Sequence, residues 1–149
     1  VSWVSKSLRW LPVGLWMAVI FTLSHMPGPQ SAETSRLVEF LLEQLGIDLS
    51  EVFGKHAVYV VRKTAHFTEY FILALLVRRA LSDQESPRRQ FLAWTFAFAF
   101  ACSDEFHQLF IPRRTGTPVD VLIDGAGAGL ALAVAGLFMV LFRRRKKAV

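Results

Sequence analysis

The chain has 149 residues, 53% of them hydrophobic, and a formal net charge of +5, with a mean hydropathy of +0.38. That is length enough for one domain but too little polarity to clothe a water-soluble one, so lipid is expected to be part of its solvent. The single cysteine, Cys102, excludes an intramolecular disulfide framework and a multi-cysteine metal site, and the basic residues sit in a few separate clusters, which argues against nucleic acid as a partner.

In chain order, four segments are expected to cross a membrane, each near the roughly 20 residues that a helical span requires. The first covers residues 8–24, "LRWLPVGLWMAVIFTLS", and reads as a retained span rather than a signal peptide. "SHMPGPQ" follows as a helix-ending turn. In the next loop "SRLVEFLLEQLGI" has helical periodicity, with Leu37, Phe40, Leu41 and Leu45 on one side and Glu39 and Glu43 on another. It predicts a short amphipathic helix, lying on the membrane surface or capping the bundle.

The second span covers residues 57–81 and contains Lys63, His66, Glu69 and Tyr70. The third covers 90–110 and ends in "SDEFHQLF". "IPRRTGTP" links it to the fourth, 119–142, which alone has a long uncharged stretch. The basic tail, 143–149, completes a single domain over residues 1–149. The expected fold is all-α: a four-transmembrane-helix bundle with the amphipathic helix in its first extracytoplasmic loop. Gly125 and Gly129 form a G-x-x-x-G that permits close helix approach, within the bundle or between copies in an oligomer.

Charge orients the bundle. Lys6, Arg9, Arg78, Arg79, Arg88, Arg89 and "RRRKK" at 143–147 fall at alternate ends and hold eleven of the seventeen Lys and Arg residues. The first loop is acidic. The positive-inside rule then places both termini and the middle loop in the cytoplasm. With that topology, Lys63, His66, Glu69 and Tyr70, then Asp104, Glu105, His107 and Gln108, then Arg114, Asp120 and Asp124 all reach one depth, at the outer face. At about 100° per residue, Lys63, His66 and Tyr70 fall within roughly 60° of one another. Asp120 and Asp124 share a face at i, i+4. Lys63 or His66 is expected to meet Asp104, Glu105 or His107, because unpaired charge in a low dielectric is costly. Taken singly, Lys55, Arg62 and Arg113 read as snorkelling or solvated cations.

These residues carry a resemblance. "KTAHFTEYFILALL" and "SDEFHQLFIPRRTGTPVDVLIDGAGAGLA" resemble the VanZ-like family of bacterial membrane proteins. Its pattern of Lys-x-x-His-x-x-x-Tyr falls on Lys63, His66 and Tyr70. Its Asp-Glu-x-x-Gln falls on Asp104, Glu105 and Gln108, its loop arginine on Arg114, and its final Asp-x-x-x-Asn/Asp-x-x-Gly on Asp120, Asp124 and Gly127. "LSHMPGP" resembles the family's Ser-x-x-Pro. Arg113 departs from the family's loop glycine, and Asp124 stands where Asn is frequent. The resemblance implies a four-helix protein of the bacterial cytoplasmic membrane. The founding member of the family is associated with resistance to the lipoglycopeptide teicoplanin.

Three functions fit the residues. The first is a cell-envelope protein whose polar pocket binds a lipid headgroup, a lipid-linked envelope precursor or an amphiphilic antibiotic. The second is a hydrolase or transferase acting on a lipid-linked phosphate or headgroup. There His66, His107, Asp104 and Glu105 are the catalytic candidates, while Lys63, Glu69, Tyr70, Gln108, Arg114, Asp120 and Asp124 bind substrate. The third is metal-assisted chemistry through His66, Glu69, Asp104, Glu105 and His107. It is the weakest, because no tight ligand spacing such as H-E-x-x-H is present. Neither a metal-ligand set nor a cofactor is assigned.

Overall fold

A computed structural model describes residues 7–82 and 86–147, with side chains over 7–82 and 87–141. Lys6 and the side chains of the 143–147 tail, both used above to set orientation, lie outside the described residues. Among those described there are only helices and turns. Helix α1 spans Leu11–Ser24, with Pro12 in its first turn, where a missing N–H costs nothing. Pro27, Gly28 and Pro29 then break the chain direction, and α2 runs over Gly28–Gln44, bent 110° from α1. Gly46 closes α2 at φ 84°. The Gly46 N–H donates to Glu43 and the Ile47 N–H to Leu42, both at 2.9 Å. This pair of bonds is a Schellman end, and it needs the left-handed conformation that glycine adopts freely.

A short helix α3, Leu49–Phe53, is capped by Asp48, whose carboxylate accepts from the Ser50 and Glu51 backbone N–H groups. A 3₁₀ turn over Gly54–His56 leads into α4, Ala57–Ala80. Helices α5, Ser86–Gln108, and α6, Pro118–Lys147, complete the chain.

Helix α4 is the axis of the bundle and packs against α1, α2, α5 and α6. The core it anchors is built from Tyr70, Leu73, Ala74 and Val77 of α4. They meet Val13 and Ile20 of α1, Ala93, Ala97 and Ala101 of α5, and Ala128, Ala131 and Leu132 of α6. Alanine at so many contacts lets helix axes come close, as in bundles that gain little from burying apolar surface in an apolar solvent. At Gly127 the approach is tightest, since a Cβ there would collide with the Phe67 carbonyl of α4. Gly125 and Gly129 instead face Phe98 and Trp94 of α5, and the Trp94 indole N–H donates to the Gly125 carbonyl at 3.1 Å. That face is thus filled within the chain.

By length and composition, Pro118–Leu141 of α6 can cross a membrane alone, and the bent α1–α2 pair passes only when taken together. Helices α4 and α5 do not pass, because their charged residues interrupt them. The α2 helix is longer than the sequence pattern suggested, starting at Gly28. Its stripe of Leu37, Phe40, Leu41 and Leu45 is exposed and faces away from the bundle, while Ser31, Ser35, Val38 and Leu42 turn inward.

Candidate functional site

The polar residues of three helices and one loop meet at a single end of the bundle: the N-terminal half of α4, the C-terminal turns of α5, the 109–117 loop and the first turns of α6. Lys63 of α4 pairs with Asp120 of α6. One turn further along both helices, His66 Nδ1 lies 3.7 Å from Asp124 Oδ1, within ion-pair range but too long for a hydrogen bond. Asp124 is completely buried. From α5, Asp104 and Glu105 bring carboxylate oxygens to within 4.8 Å of each other and of an imidazole nitrogen of His66. The expected meeting of α4 and α5 therefore occurs through His66, whereas Lys63 is engaged by α6.

Neighbours fix these carboxylates from outside. Gln108 Nε2, one turn beyond Asp104, donates to Ser24 Oγ at 2.7 Å and to Asp104 Oδ2 at 3.4 Å. The Thr117 backbone N–H donates to Glu105 Oε2 at 2.9 Å. Arg114 reaches from the loop to the carbonyls of Leu23 and Ser24 at 3.2 and 3.3 Å, tying the end of α1 to the site. Burial, with Arg62 beside it, pulls the Arg114 pKa below the usual arginine value, and the nearby Asp104, Glu105 and Glu69 carboxylates act in the opposite sense. The group remains a cation at physiological pH.

The loop is held by close backbone contacts. Gly28 N–H donates to the Pro112 carbonyl at 3.1 Å, and a Cβ on Gly28 would meet the Arg113 carbonyl. A Cβ on Gly116 would meet that of Glu105. Arg113 itself sits at φ 58°, so it takes the left-handed turn that glycine would take at no steric cost.

The remaining candidates divide. Tyr70 is fully buried, with its hydroxyl unpaired among the described residues. Glu69 lines a cavity beside α2, where its backbone carbonyl accepts from Trp16 Nε1 at 2.9 Å. His107 stands apart: its Nε2 is 3.1 Å from His25 Nδ1, and its ring packs against Phe21. It belongs to the α1 side of α5 rather than to the His66 cluster.

The cavity has a volume of about 550 Å³ and lies between α2 and α4. Ser31, Thr34, Ser35, Thr64, Thr68, Arg62, His66, Glu69 and Arg114 give it a polar side, and Trp16, Val38, Leu42, Leu49, Val60 and Ile72 an apolar one. Arg62 thus lines a cavity wall with its Nε buried, where the sequence suggested a snorkelling or solvated cation.

The sequence model of the VanZ/LLP1 family matches residues 9–142. The chain belongs to the VanZ/LLP1 family. No curated protein and no solved structure matches it. The match takes in α1 as well as the polar cluster, and this VanZ/LLP1 chain uses α1 at the site. Ser24 and His25 are contacts that residue chemistry alone passed over. Ser24 had a signal, since it ends an apolar run three residues before a proline, in the Ser-x-x-Pro that the family resemblance picked out. His25 had none beyond being a histidine in a turn.

Proposed function

We propose that this VanZ/LLP1 protein is a multi-pass protein of the bacterial cytoplasmic membrane that holds an amphiphile with an anionic headgroup in the cleft between α2 and α4. The observation that carries this reading is the cleft's division. One side offers Arg62, Arg114, His66 and a row of hydroxyls, and the other offers aliphatic side chains and the Trp16 ring. Guanidinium groups recognise phosphate oxygens through paired, charge-assisted hydrogen bonds, and the aliphatic wall suits an acyl chain. A volume of about 550 Å³ matches binding sites for small ligands.

Four spans with cytoplasmic termini follow from the same reading. Helices α4 and α5 are interrupted by Arg62, Lys63, Glu69, Asp104 and Glu105, but Lys63 meets Asp120, Asp104 and Glu105 meet His66, and Arg62 and Glu69 line the cleft. Leu122, Leu130, Leu137 and Phe138 of α6, Phe91 and Phe106 of α5, and Phe110 just beyond it turn outward. That is the distribution a lipid-solvated bundle requires. At the opposite end of the bundle, Arg78 and Arg89 converge on the sulfur of Met139, which places part of the basic set together, on the side that would face the cytoplasm.

The position of His66 favours a second reading. It is an imidazole in the cleft wall backed by the Asp124 carboxylate, which is the arrangement of a base or nucleophile in a hydrolase or transferase working on a headgroup phosphate. A lipoglycopeptide, being an acylated amphiphile, is a further ligand of matching chemistry, and this is how such a cleft would alter antibiotic susceptibility.

Native mass spectrometry of the detergent-purified protein, offered phosphatidylglycerol and phosphatidylcholine of identical chains, tests the binding. Phosphatidylglycerol should be retained preferentially. Arg114→Ala should reduce that preference about tenfold, the equivalent of roughly 1.4 kcal/mol, while keeping near-normal abundance and melting. Equal retention of both lipids, or retention unchanged in Arg114→Ala, overturns the reading. Release of water-soluble headgroup from the same samples, lost in His66→Ala, would decide for the enzyme.

A further inference from the structure

Behind the cleft wall lies a set of atoms that lipid binding does not explain. His66, Asp104, Glu105 and Asp124 are each more than nine-tenths buried. His66 Nδ1, Asp104 Oδ1, Glu105 Oε1 and both oxygens of Asp124 have no hydrogen-bond partner among the described residues. Leaving even one such group unpaired is costly, and here five polar atoms on four neighbouring side chains share the same condition.

Most nearby donors are committed elsewhere, and the Tyr70 hydroxyl and Arg114 Nε are left unpaired with them among the described residues. Lys63 is on Asp120. Arg114 donates to two backbone carbonyls. Gln108 divides its amide between Ser24 and the other oxygen of Asp104. Thr117 takes the other oxygen of Glu105. Each α5 carboxylate is therefore held by one oxygen with its second oxygen left free. A hydrogen bond to one oxygen in this way orients a carboxylate whose other oxygen ligates a metal.

We propose that His66, Asp104 and Glu105, with Asp124 alongside, bind one divalent transition-metal ion of the Zn²⁺ or Mn²⁺ class. The ligand atoms of the first three lie within 4.8 Å of one another. Around a tetrahedral ion with bonds of about 2.1 Å, ligand atoms lie about 3.4 Å apart, so closing the set takes side-chain movements of about one ångström. The donor set selects the ion. One imidazole with two or three carboxylates favours a borderline transition ion, whereas Ca²⁺ takes six to eight oxygens and Mg²⁺ keeps most of its water. Three helices supply the ligands. Asp104 and Glu105 are sequence neighbours, but His66 is 38 positions away, so no short motif announces the set. His107, one of the residues weighed as a ligand in the weakest of the three readings, is excluded by its place beside His25. The inference stands whether or not the cleft binds a lipid.

The test uses the full-length protein in detergent, stripped with a chelator and dialysed. Titration with MnCl₂, followed by the loss of the free-ion electron paramagnetic resonance signal, should show one Mn²⁺ bound per chain, displaced by one Zn²⁺. Adding ZnCl₂ should raise the melting temperature of the stripped protein. Asp104→Asn, Glu105→Gln and His66→Gln should each weaken binding at least tenfold and remove the rise in melting. If these variants fail to fold, the wild-type titration decides alone. Stripped wild type that binds neither ion and melts unchanged in ZnCl₂ overturns the proposal. So does an ion whose binding survives all three substitutions but is lost in His25→Gln/His107→Gln, which would assign it to the ring pair on α1 and α5.

Discussion

At the scale of single residues, the polar end of the bundle contains groups with different tasks. Lys63 and Asp120 satisfy each other, and both are largely buried, with side-chain exposures of 18% and 10%. Removing one partner leaves the other charge uncompensated at a cost of about 3 kcal/mol, whereas replacing both with apolar residues of similar size recovers most of it. Lys63→Met should therefore lower the melting temperature sharply, and Lys63→Met/Asp120→Leu should restore it, both read by thermal melting in detergent. A double variant no more stable than the single one would show that Lys63 or Asp120 serves something besides the pair. Helical spacing made the Lys63, His66 and Tyr70 face legible in advance, because one helix fixes the angles among its own residues. It could not assign partners across helices. Either Lys63 or His66 was expected to meet α5; His66 does, while Lys63 is found on α6, and His107 was grouped with His66 although rotation about α5 carries it to α1. Spacing within an element sets direction, but only packing between elements sets distance.

At the scale of the element, the same limit separates what the α6 glycines suggested from what they do. The G-x-x-x-G pattern drew attention to Gly125 and Gly129, yet the residue that permits backbone contact is Gly127, against the Phe67 carbonyl of α4. Gly127→Ala should separate the two most extensively packed helices and destabilise the protein by about 1–3 kcal/mol. At Gly129 a Cβ would meet only the Trp94 ring, at 3.7 Å, an ordinary contact. There the better helix propensity of alanine, about 1 kcal/mol, should leave stability unchanged or improved. Comparing the two melting temperatures checks the assignment, and it fails if Gly129→Ala is the more damaging. The boundaries of α2 were harder to read. Two prolines flanking Gly28 looked like loop, but proline is tolerated in the first turn of a helix, so α2 starts there and Ser31 and Ser35 come to face α4.

At the scale of the whole molecule, an all-helical fold and a polar cluster at one end followed from composition and from the order of charged segments. The cleft did not, because its walls come from α1, α2, α4 and the 109–117 loop, and its lining is unremarkable in any one of them. Orientation is the global property most open to test. In a Cys102→Ser background, a cysteine at Glu43 should react with an impermeant reagent in intact cells, and one at Arg79 only after permeabilisation. The reverse pattern would turn the bundle over and put the cleft on the cytoplasmic side.

The outward stripe of α2 has a mechanical consequence. On the proposed multi-pass reading, Leu37, Phe40, Leu41 and Leu45, which project from a helix that bends 110° away from α1, would enter one leaflet and leave the other untouched. A body that adds area to a single leaflet acts as a wedge, and its insertion is easiest where that leaflet is already stretched by curvature. The protein should therefore concentrate in strongly curved regions of membrane whose convex side carries α2. Reconstitution into vesicles of graded diameter would reveal this as density rising with curvature, and Phe40→Ser/Leu41→Ser should flatten the trend.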